Sequence, residues 1–277
     1  MHRGIYEAAS GMLVQETHLD VITNNLANVD TPGYKRRISA TSDFSALLDR
    51  IEKVSEDTET KITTVMPADM PFKGREVIGS VALAAIFSED VMDTFPGVIK
   101  DTESQLDMAI DGQGFFALTD ENGETFYTRE GNFVLDNNGN IVNPNGLMLQ
   151  GEGGALNIGN NVRSVEVNRK GQVIVSRAEQ GNIGNEIIGK VAVFNFENPT
   201  YLRHHGKNLL TPTEQSGEAE NVENPRIWSG ALEMSNVEVV TEMVRMIEAQ
   251  RIYEGASKAL MTHDEQTTKL ITSFSRG

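Results

Sequence analysis

A few short segments of this chain hold residues whose types and spacing could carry chemistry. Gly112-Gln-Gly114 resembles the start of a dinucleotide-binding loop. Such a loop needs a third glycine and a following helix, whereas Phe115 and Phe116 come next and begin a predicted strand. We therefore interpret the two glycines as a tight bend between strands and expect no bound cofactor.

Two further segments contain residues that bind metals in other proteins. Asp136-Asn-Asn-Gly-Asn140 has oxygen ligands at calcium-loop spacing, but Ile141 occupies the place of the required glycine and no acidic residue stands at the twelfth position. His204-His205 is the only adjacent histidine pair, and neighbouring side chains of regular structure cannot both face one metal ion. We predict a turn in the first segment and no metal site in either.

The serines and carboxylates give no pattern typical of an enzyme. No serine stands in the glycine-flanked strand-to-helix context of a nucleophile elbow. Carboxylates are plentiful, yet no pair is singled out by its spacing. Catalytic residues are therefore not expected.

The composition of the chain argues against several classes of partner and of chemistry. The net charge of −16 argues against nucleic acid and anionic membrane surfaces, because both require cationic protein surface. The chain has no cysteine, which removes disulfides and thiolate chemistry. No apolar run approaches the roughly 18 residues typical of a membrane span, so membrane insertion is not expected.

The first residues do not have the pattern of a secretory leader. Polar residues (Glu7, Gln15, Glu16 and Asp20) interrupt any apolar core, and no small-residue cleavage site follows. We expect a chain that is cytosolic, or exported by a route that removes no Sec-type leader.

The N-terminal stretch predicts a long helix from about Arg3 to Asn28. Its apolar residues recur at heptad spacing, which is typical of a helix that packs along another helix. They are Ile5, Met12, Leu19 and Leu26, with Ala8, Ile22 and Val29 on the interleaved row and Gln15 as its exception. The helix should stop before Gly33, because Thr31 precedes a proline and Gly33 can adopt a positive φ.

From about Ser235 a second heptad stripe predicts a C-terminal helix. Its main row holds Val239, Met246, Tyr253, Leu260 and Phe274, with Thr267 polar, and the interleaved row includes Met243 and Ile271. A neighbouring row adds Val240, Val244, Ile247, Ala256, Ala259 and Leu270. A face this broad requires more than one partner helix.

The segments between the helices differ in character. A short helix is predicted from Phe44 to Val54, followed by an extended connector from Ser55 to Gly79. From Gly79 to Trp228 the helical period disappears, and short apolar runs separated by turn dipeptides (Asn122-Gly123, Asn138-Gly139, Asn145-Gly146) predict mostly antiparallel strands. Pro199 to Glu223 has the composition of a long surface loop, and Lys35-Arg-Arg37 is either a solvated loop edge or a partner contact.

These patterns predict an α+β fold. Its long N- and C-terminal helices pair as a coiled-coil-like hairpin, and a mostly antiparallel β-rich domain lies between them in sequence. The predicted divisions are 1–34 for the N-terminal helix and turn, 35–78 for the short helix and connector, 79–234 for the β-rich domain and 235–277 for the C-terminal helix.

Four segments of the chain resemble one known family. They are Asn24-Asn-Leu-Ala-Asn-Val-Asp-Thr-Pro-Gly-Tyr-Lys35, Leu106-Asp-Met-Ala-Ile-Asp-Gly-Gln-Gly-Phe-Phe116, Tyr127-Thr-Arg-Glu-Gly-Asn-Phe133, and the C-terminal pair Gly230 to Val240 and Met243 to Glu254. They are similar, in order and over nearly the whole chain, to the signatures of the bacterial flagellar rod and hook axial proteins. The signature residues are Asn24, Asn25, Leu26, Ala27, Asn28, Thr31, Gly33, Tyr34, Gly112, Gly114, Phe115 and Phe116.

Length and the continuous middle match favour the rod proteins of the FlgF/FlgG type. FlgF, of the proximal rod, is slightly favoured, and FlgG, of the distal rod, or a further or hook-like paralogue stays open. The resemblance implies a structural subunit of the basal-body rod that is needed for flagellum assembly and motility. It implies export by the flagellar type III apparatus, and as partners further copies of the chain, other proximal and distal rod proteins and the surrounding ring proteins.

The apolar stripes of the two helices suggest how such a rod would assemble. Because solvent cannot satisfy them, we expect the terminal helices to bury them against each other and against neighbouring subunits, head to tail in a helical tube. The expected interface residues are Ile5, Met12, Leu19, Ile22, Leu26, Val239, Val240, Met243, Val244, Met246, Ile247, Tyr253 and Leu260. A rival class is a secreted or surface binding module whose β domain stands on a helical stalk.

Overall fold

The computed structural model describes residues 3–43, 85–159, 162–179 and 182–274. Its helices are α1 (Arg3–Ala27) and α2 (Val239–Phe274), and a β-rich body separates them along the chain. The α+β class and both terminal helices are therefore confirmed. Over the described residues, no helix combines the length and apolar character that crossing a membrane requires.

The strands are short and numerous, as the turn dipeptides predict. The first ten are β1 (Arg37–Asp43), β2 (Ala85–Met92), β3 (Ile99–Asp101), β4 (Met108–Ile110), β5 (Phe115–Thr119), β6 (Thr125–Thr128), β7 (Val134–Leu135), β8 (Ile141–Val142), β9 (Met148–Gly151) and β10 (Gly154–Ala155). The others are β11 (Val162–Val167), β12 (Gln172–Glu179), β13 (Asn182–Lys190), β14 (Val193–Asn195), β15 (Arg203–Gly206), β16 (Leu209–Thr211), β17 (Glu220–Asn221), β18 (Ile227–Ser229) and β19 (Ala231–Glu233). One 3₁₀ turn, Pro199–Tyr201, precedes β15.

The main sheet of the body has the order β15-β16-β6-β5-β9-β8-β7, with β10 added to β9 and with β14 pairing with both β5 and β17. A three-stranded sheet, β11-β12-β13, and the pairs β4–β18 and β3–β19 complete the body. The pairings are antiparallel, which confirms the predicted sheet type. Strands β1 and β2 form a separate two-stranded sheet.

Tight turns set the register of the main sheet. Gly123, Gly139 and Gly146 all have positive φ, of 87°, 81° and 88°, and close the hairpins β5–β6, β7–β8 and β8–β9. Glycine adopts this conformation without the steric cost that a Cβ brings. The three predicted turn dipeptides are therefore turns, and the Asp136 segment is a turn whose carboxylate accepts the backbone N–H groups of Asn138 and Asn140.

The body has a core made by strand residues that point inward. Phe116, Leu118, Phe133, Ile141 and Leu149 are fully buried and belong to one apolar cluster. The rings of Phe116 and Phe133 meet edge to face, with centroids 5.4 Å apart. Burial of such side chains, about 1.5–3 kcal/mol each, supplies the main stabilisation of the body.

The described residues form two compact units. The first contains 3–23, 39–43, 85–90 and 243–274, and so takes in most of both helices. The second contains 24–38 and the described residues of 91–242, and so takes in the body and the turn that follows α1. In the first unit, His18 Nδ1 and Ser39 Oγ lie 2.7 Å apart in a hydrogen bond, which joins α1 to β1.

The surface loop predicted over Pro199 to Glu223 is wrong, because this segment folds into β15, β16 and β17. Leu202, Leu209 and Leu210 are buried there. The reversal between β15 and β16 uses Lys207 and Asn208, which adopt positive φ of 46° and 61° without being glycine. A Lys-Asn pair is not one of the dipeptides by which a tight turn is recognised in a sequence.

Two other expectations have different outcomes. Residues 37–43 form strand β1, whereas no strand was predicted there. The short helix from Phe44 to Val54 and the connector from Ser55 to Gly79 lie outside the described residues.

Candidate functional site

The turn after α1 is held by its own side chains. Asn28 Nδ2 donates to Asn24 O at 2.8 Å, and Thr31 Oγ1 donates to Asn28 Oδ1 at 3.2 Å. These bonds satisfy backbone and side-chain groups that the end of a helix leaves without partners. The asparagines of the signature therefore end the helix at a defined residue.

Gly33 brings this turn into contact with the body. Its φ is +69°, and a Cβ at this position would lie 2.3 Å from the backbone C of Arg129 and N of Glu130. The Gly33 N–H donates to Glu233 O at 2.7 Å. On the other side, Asn208 Nδ2 of the β15–β16 turn donates to Pro32 O at 2.8 Å. Pro32-Gly33 is thus a docking point on the chain's own body as well as a turn.

Directly after this turn lies a buried ion-pair cluster, which we define as Lys35, Arg129 and Glu233. Lys35 Nζ lies 2.5 Å from Glu233 Oε1, and Arg129 Nη1 lies 3.0 Å from Glu233 Oε2. The side chains of Lys35 and Glu233 are only 3% and 2% exposed. Burial lowers the pKa of both cations, and the charge of Glu233 acts against that shift. The Lys35–Arg37 segment was predicted to be either a solvated loop edge or a partner contact. Both predictions are wrong for Lys35, because its side chain is buried within the chain.

Arg129 also binds the glycine bend between β4 and β5. Its Nη2 donates to Gly112 O at 2.6 Å, and its guanidinium lies 5.3 Å from the centre of the Phe115 ring. Gly112 and Gly114 both have positive φ, and a Cβ on Gly114 would lie 2.6 Å from Val193 Cγ1. The glycines make a bend, as predicted, and the bend presents a carbonyl to an arginine.

A second polar layer surrounds Asn25, which is 1% exposed. Its Oδ1 accepts the N–H of Arg37 at 2.9 Å and the hydroxyl of Tyr34 at 3.0 Å, and its Nδ2 donates to Arg37 O at 2.8 Å. Asn25 Nδ2 also donates to Glu242 Oε2 at 3.5 Å. Burial raises the pKa of Tyr34 to about 12, so its hydroxyl stays a proton donor to Asn25 at neutral pH.

Arg36 and Asn236 connect this layer to the segment before β3. Arg36 Nη2 lies 2.7 Å from Asp93 Oδ2, and Arg36 Nη1 lies 3.7 Å from the buried Glu242. Asn236 Oδ1 accepts the Arg36 N–H at 2.7 Å, and its Nδ2 donates to the carbonyls of Asp93 and Phe95. The start of α2 is thus tied to the turn after α1 by side chains of the body unit.

All four segments that carry the family resemblance meet at the cluster. Lys35 comes from the first, Gly112 from the second, Arg129 from the third and Glu233 from the fourth. The Glu233 carboxylate also accepts the Gly97 N–H at 2.9 Å, so both of its oxygens already have donors. Such a saturated carboxylate suits a structural joint and is poorly suited to proton transfer.

Comparison with known proteins finds flagellar rod and hook proteins along the chain. Residues 5–35 match the flagella basal body rod protein model, residues 109–175 the flagellar hook protein FlgE/F/G D1 domain, and residues 229–272 the flagellar basal body rod FlgEFG protein C-terminal model. The flagellar basal-body rod protein FlgG of Buchnera aphidicola subsp. Schizaphis graminum (strain Sg) is 32% identical over 271 residues, with 96% of this chain and 97% of the relative covered. The chain belongs to the flagellar basal-body rod protein family.

Other relatives agree. FlgG of Bacillus subtilis (strain 168) is 32% identical over 281 residues, with 98% of each chain covered. FlgF of Caulobacter vibrioides is 28% identical over 262 residues, with 94% of this chain and 93% of the relative covered. The FlgF/FlgG-type resemblance is confirmed, and the chain is a structural rod subunit of the flagellum, not an enzyme.

The signature residues of this rod protein lie at the turn and the bend. Asn25, Gly33, Tyr34, Gly114, Phe115 and Phe116 are buried, Leu26, Asn28 and Thr31 are half-buried, and Asn24, Ala27 and Gly112 are exposed. The buried members make the contacts given above. The signature therefore marks a joint within the chain.

The expected interface residues fall into three groups by exposure. Ile22 is buried, the half-buried ones are Ile5, Met12, Leu19, Leu26, Val239, Met246, Tyr253 and Leu260, and the exposed ones are Val240, Met243, Val244 and Ile247. On α2 the expected residues of the main heptad row are thus partly covered within one chain, while the four exposed residues face outward, and we call these four the exposed apolar row. On α1 the most buried positions include Val14 and Val21, which the predicted stripe leaves out.

Sequence reasoning missed Arg129, Glu233, Asn236 and Glu242 as site residues. Glu233 and Lys35 are 198 positions apart, so no local spacing relates them. The available signal for Arg129, Glu233 and Asn236 was their place inside the recognised segments, and Glu242 lies in the short gap between Val240 and Met243. Among the described residues, no group of three or more histidine, cysteine, aspartate or glutamate side chains could hold a metal ion.

Proposed function

We propose that this rod protein polymerises head to tail into a helical tube through its terminal helices. In this proposal α1 and α2 pair as a coiled-coil-like hairpin inside each subunit, and the β-rich body forms the outer layer. The observation that carries the proposal is the exposed apolar row of α2. Val240, Met243, Val244 and Ile247 are 70%, 48%, 50% and 50% exposed in the single chain.

Exposure of this row has an energetic consequence. Each such side chain gains about 1.5–3 kcal/mol when it becomes fully buried, so a contact that covers four of them is strongly favoured. A contact between two different surfaces generates a helical filament when its rotation does not close into a ring. The ion-pair cluster supports this geometry, because it fixes the residues at the end of α1 and the start of α2 on the same body.

Val244→Asp tests the proposal. A charge in the exposed row should abolish assembly, because a buried unpaired carboxylate is costly, while the body keeps its stability. The measurements are sedimentation and electron microscopy of concentrated full-length protein, and the urea midpoint followed by Trp228 fluorescence. Gln266→Asp places the same charge on an exposed polar position of α2 outside the three apolar rows and is the matched control. Normal assembly of Val244→Asp would refute the proposal.

Amide exchange provides an independent test. With its apolar row uncovered, α2 should exchange rapidly in a confirmed monomer and slowly in the polymer. Strong protection over Val239 to Tyr253 in the monomer contradicts this expectation. A defined small oligomer in place of filaments supports the stalked binding module instead.

We further propose that the subunit occupies a FlgG-type position in the rod. The two FlgG relatives given above are 32% identical to the chain and the FlgF relative is 28% identical, which supports FlgG over the FlgF assignment favoured by sequence alone. A tagged subunit seen by electron microscopy in isolated basal bodies distinguishes the two positions.

The route to the rod and its outer contacts are part of the same proposal. Export by the flagellar type III apparatus without removal of a leader predicts that protein isolated from basal bodies retains its first residues, apart from Met1. Mass spectrometry of the N-terminal peptide tests this. Contact of the body with the surrounding ring proteins is tested by crosslinking in the same preparation.

A further inference from the structure

Glu130 is a buried carboxylate that the described residues leave without a cation. Three glutamates of the described part of the chain are buried, and the other two, Glu233 and Glu242, both lie near basic side chains. Glu130 is 8% exposed, and its Oε2 has no hydrogen-bond partner there. Burial raises the pKa of Glu130, and the opposing contribution is a hydrogen bond from the neutral Asn132.

Glu130 lines a polar cavity of about 480 Å³ within the body unit. The walls come from the turn after α1 and from the β15–β16 turn. The other lining residues include Asn24, Asn28, Tyr34, Arg37, His204 and Asn208. Cavities of roughly 300–1,000 Å³ with a few convergent polar groups are typical binding sites.

The cavity presents a buried acceptor that lacks a donor. Glu130 Oε2 has no hydrogen-bond partner in the described residues, and neither has His204 Nε2. Burial lowers the pKa of His204 to about 4, so its ring is neutral at pH 7 and its tautomer decides whether Nε2 accepts or donates. An ionised carboxylate only accepts hydrogen bonds, so Glu130 requires a group that donates. Ammonium and guanidinium groups only donate.

The cations already at the cavity wall do not take this role. Arg37 and Lys207 line the cavity, and the charge of Arg37 lowers the pKa of both Tyr34 and His204. Neither cation contributes to the pKa of Glu130. Within the described residues, the free-energy cost of burying the Glu130 carboxylate is therefore not offset by a cation.

We propose that this cavity binds the ammonium or guanidinium group of a basic side chain from a neighbouring copy of the chain. The inference rests on the proposed polymerisation. Each copy has a net charge of −16, so contacts between copies need local pairs of opposite charge. Helix α2 offers exposed basic side chains for such a pair, namely Arg251, Lys258 and Lys269. Assembly would then give Glu130 the partner that the monomer lacks.

Glu130→Gln separates the two states. In the monomer the variant removes an unpaired buried charge, so its urea midpoint at pH 7 should equal or exceed that of the wild type. In the polymer it removes the anion that holds the cation, so the critical concentration for assembly should rise at least tenfold. The critical concentration is measured by sedimentation of full-length protein. Glu124→Gln, at an exposed position of the preceding turn, removes the same charge and should leave that concentration unchanged.

Each result has one meaning. A critical concentration for Glu130→Gln within twofold of wild type overturns the inference, and so does a lowered one, which indicates that the neighbour brings an anion. An equal rise in Glu124→Gln also overturns it, because net charge then explains the effect. Failure here is distinct from failure of the proposed function, since Val244→Asp still abolishes assembly if only the cavity is misassigned.

Discussion

Replacing Glu233 by glutamine should destabilise the body more than any single surface change. The substitution keeps the shape of the side chain and removes the charge that Lys35 and Arg129 share. Both cations are then left buried without their anion. Breaking a buried pair in this way costs about 3–5 kcal/mol.

The upper end of that range follows from Lys35 itself. A lysine with an ordinary pKa of 10.5 can avoid an unpaired charge by losing its proton on folding. At pH 7 this costs about 5 kcal/mol, at about 1.36 kcal/mol per pH unit below the ordinary pKa. With a urea slope of about 2 kcal/mol/M for the body, the midpoint should fall by roughly 1.5–2.5 M.

The assay is urea unfolding of the full-length monomer followed by fluorescence of Trp228, the single tryptophan, which lies in β18 of the body. Glu186→Gln is the matched control, because Glu186 lies 3.2 Å from Arg177 and its side chain is 59% exposed. That exposed pair should contribute less than about 1 kcal/mol. A loss of under about 1 kcal/mol in Glu233→Gln would refute the role given to the cluster.

The pH dependence provides a second check on the same variant. Without Glu233, burial and the charge of Arg129 depress the folded-state pKa of Lys35 further, and only Asp93 acts against them. The unfolded state then binds more protons than the folded state between the two pKa values, so stability rises with pH in this window. The gap between variant and wild type should therefore narrow from pH 7 toward pH 10. A constant gap contradicts this account of Lys35.

Two further predictions concern the turn and the cavity. Gly33→Ala should lower the urea midpoint much more than Gly123→Ala does. Both glycines have positive φ, but of the two only Gly33 would place a Cβ against the Arg129–Glu130 backbone. Equal losses in the two variants would mean that this close contact contributes nothing. Burial lowers the pKa of His204 to about 4 in the folded state, against an ordinary 6.5. The unfolded state therefore binds a proton first as the pH falls from 6.5 to 4, and the free energy of unfolding of the wild type should fall by up to roughly 3 kcal/mol. His204→Gln should lose less over the same range. Parallel stability–pH curves for the two proteins would contradict that assignment.

The local features of this fold could be predicted from the sequence, since each has a local cause. A heptad period specifies a helix face. Helix α1 is predicted from Arg3 to Asn28 and found over Arg3–Ala27, whereas α2 begins at Val239, four residues after the predicted Ser235. Asparagine-glycine pairs specify hairpins, and all three are found where they were predicted. The Gly112–Gly114 bend follows from the same conformational freedom.

Features that depend on distant partners could not be predicted in this way. Lys35 looks like a surface residue in the sequence, and only the approach of Glu233 and Arg129 makes its burial possible. The β15–β16 turn is formed by Lys207 and Asn208 in a conformation that is unusual for both. Hydrogen bonds from Asn208 to Pro32 and from Thr128 to Asn208 hold it there, and Pro32 and Thr128 lie 176 and 80 positions away from Asn208.

The long separation of Lys35 from Glu233 also bears on timing. The ribosome adds about 5–20 residues per second, so Glu233 follows Lys35, 198 positions earlier, after roughly 10–40 seconds. Throughout that interval the nascent chain has the lysine without its anion, and the ion-pair cluster between the turn after α1 and the body cannot form. Under the proposed export of an unfolded subunit, such a delay favours export, because this long-range contact is completed only near the end of synthesis.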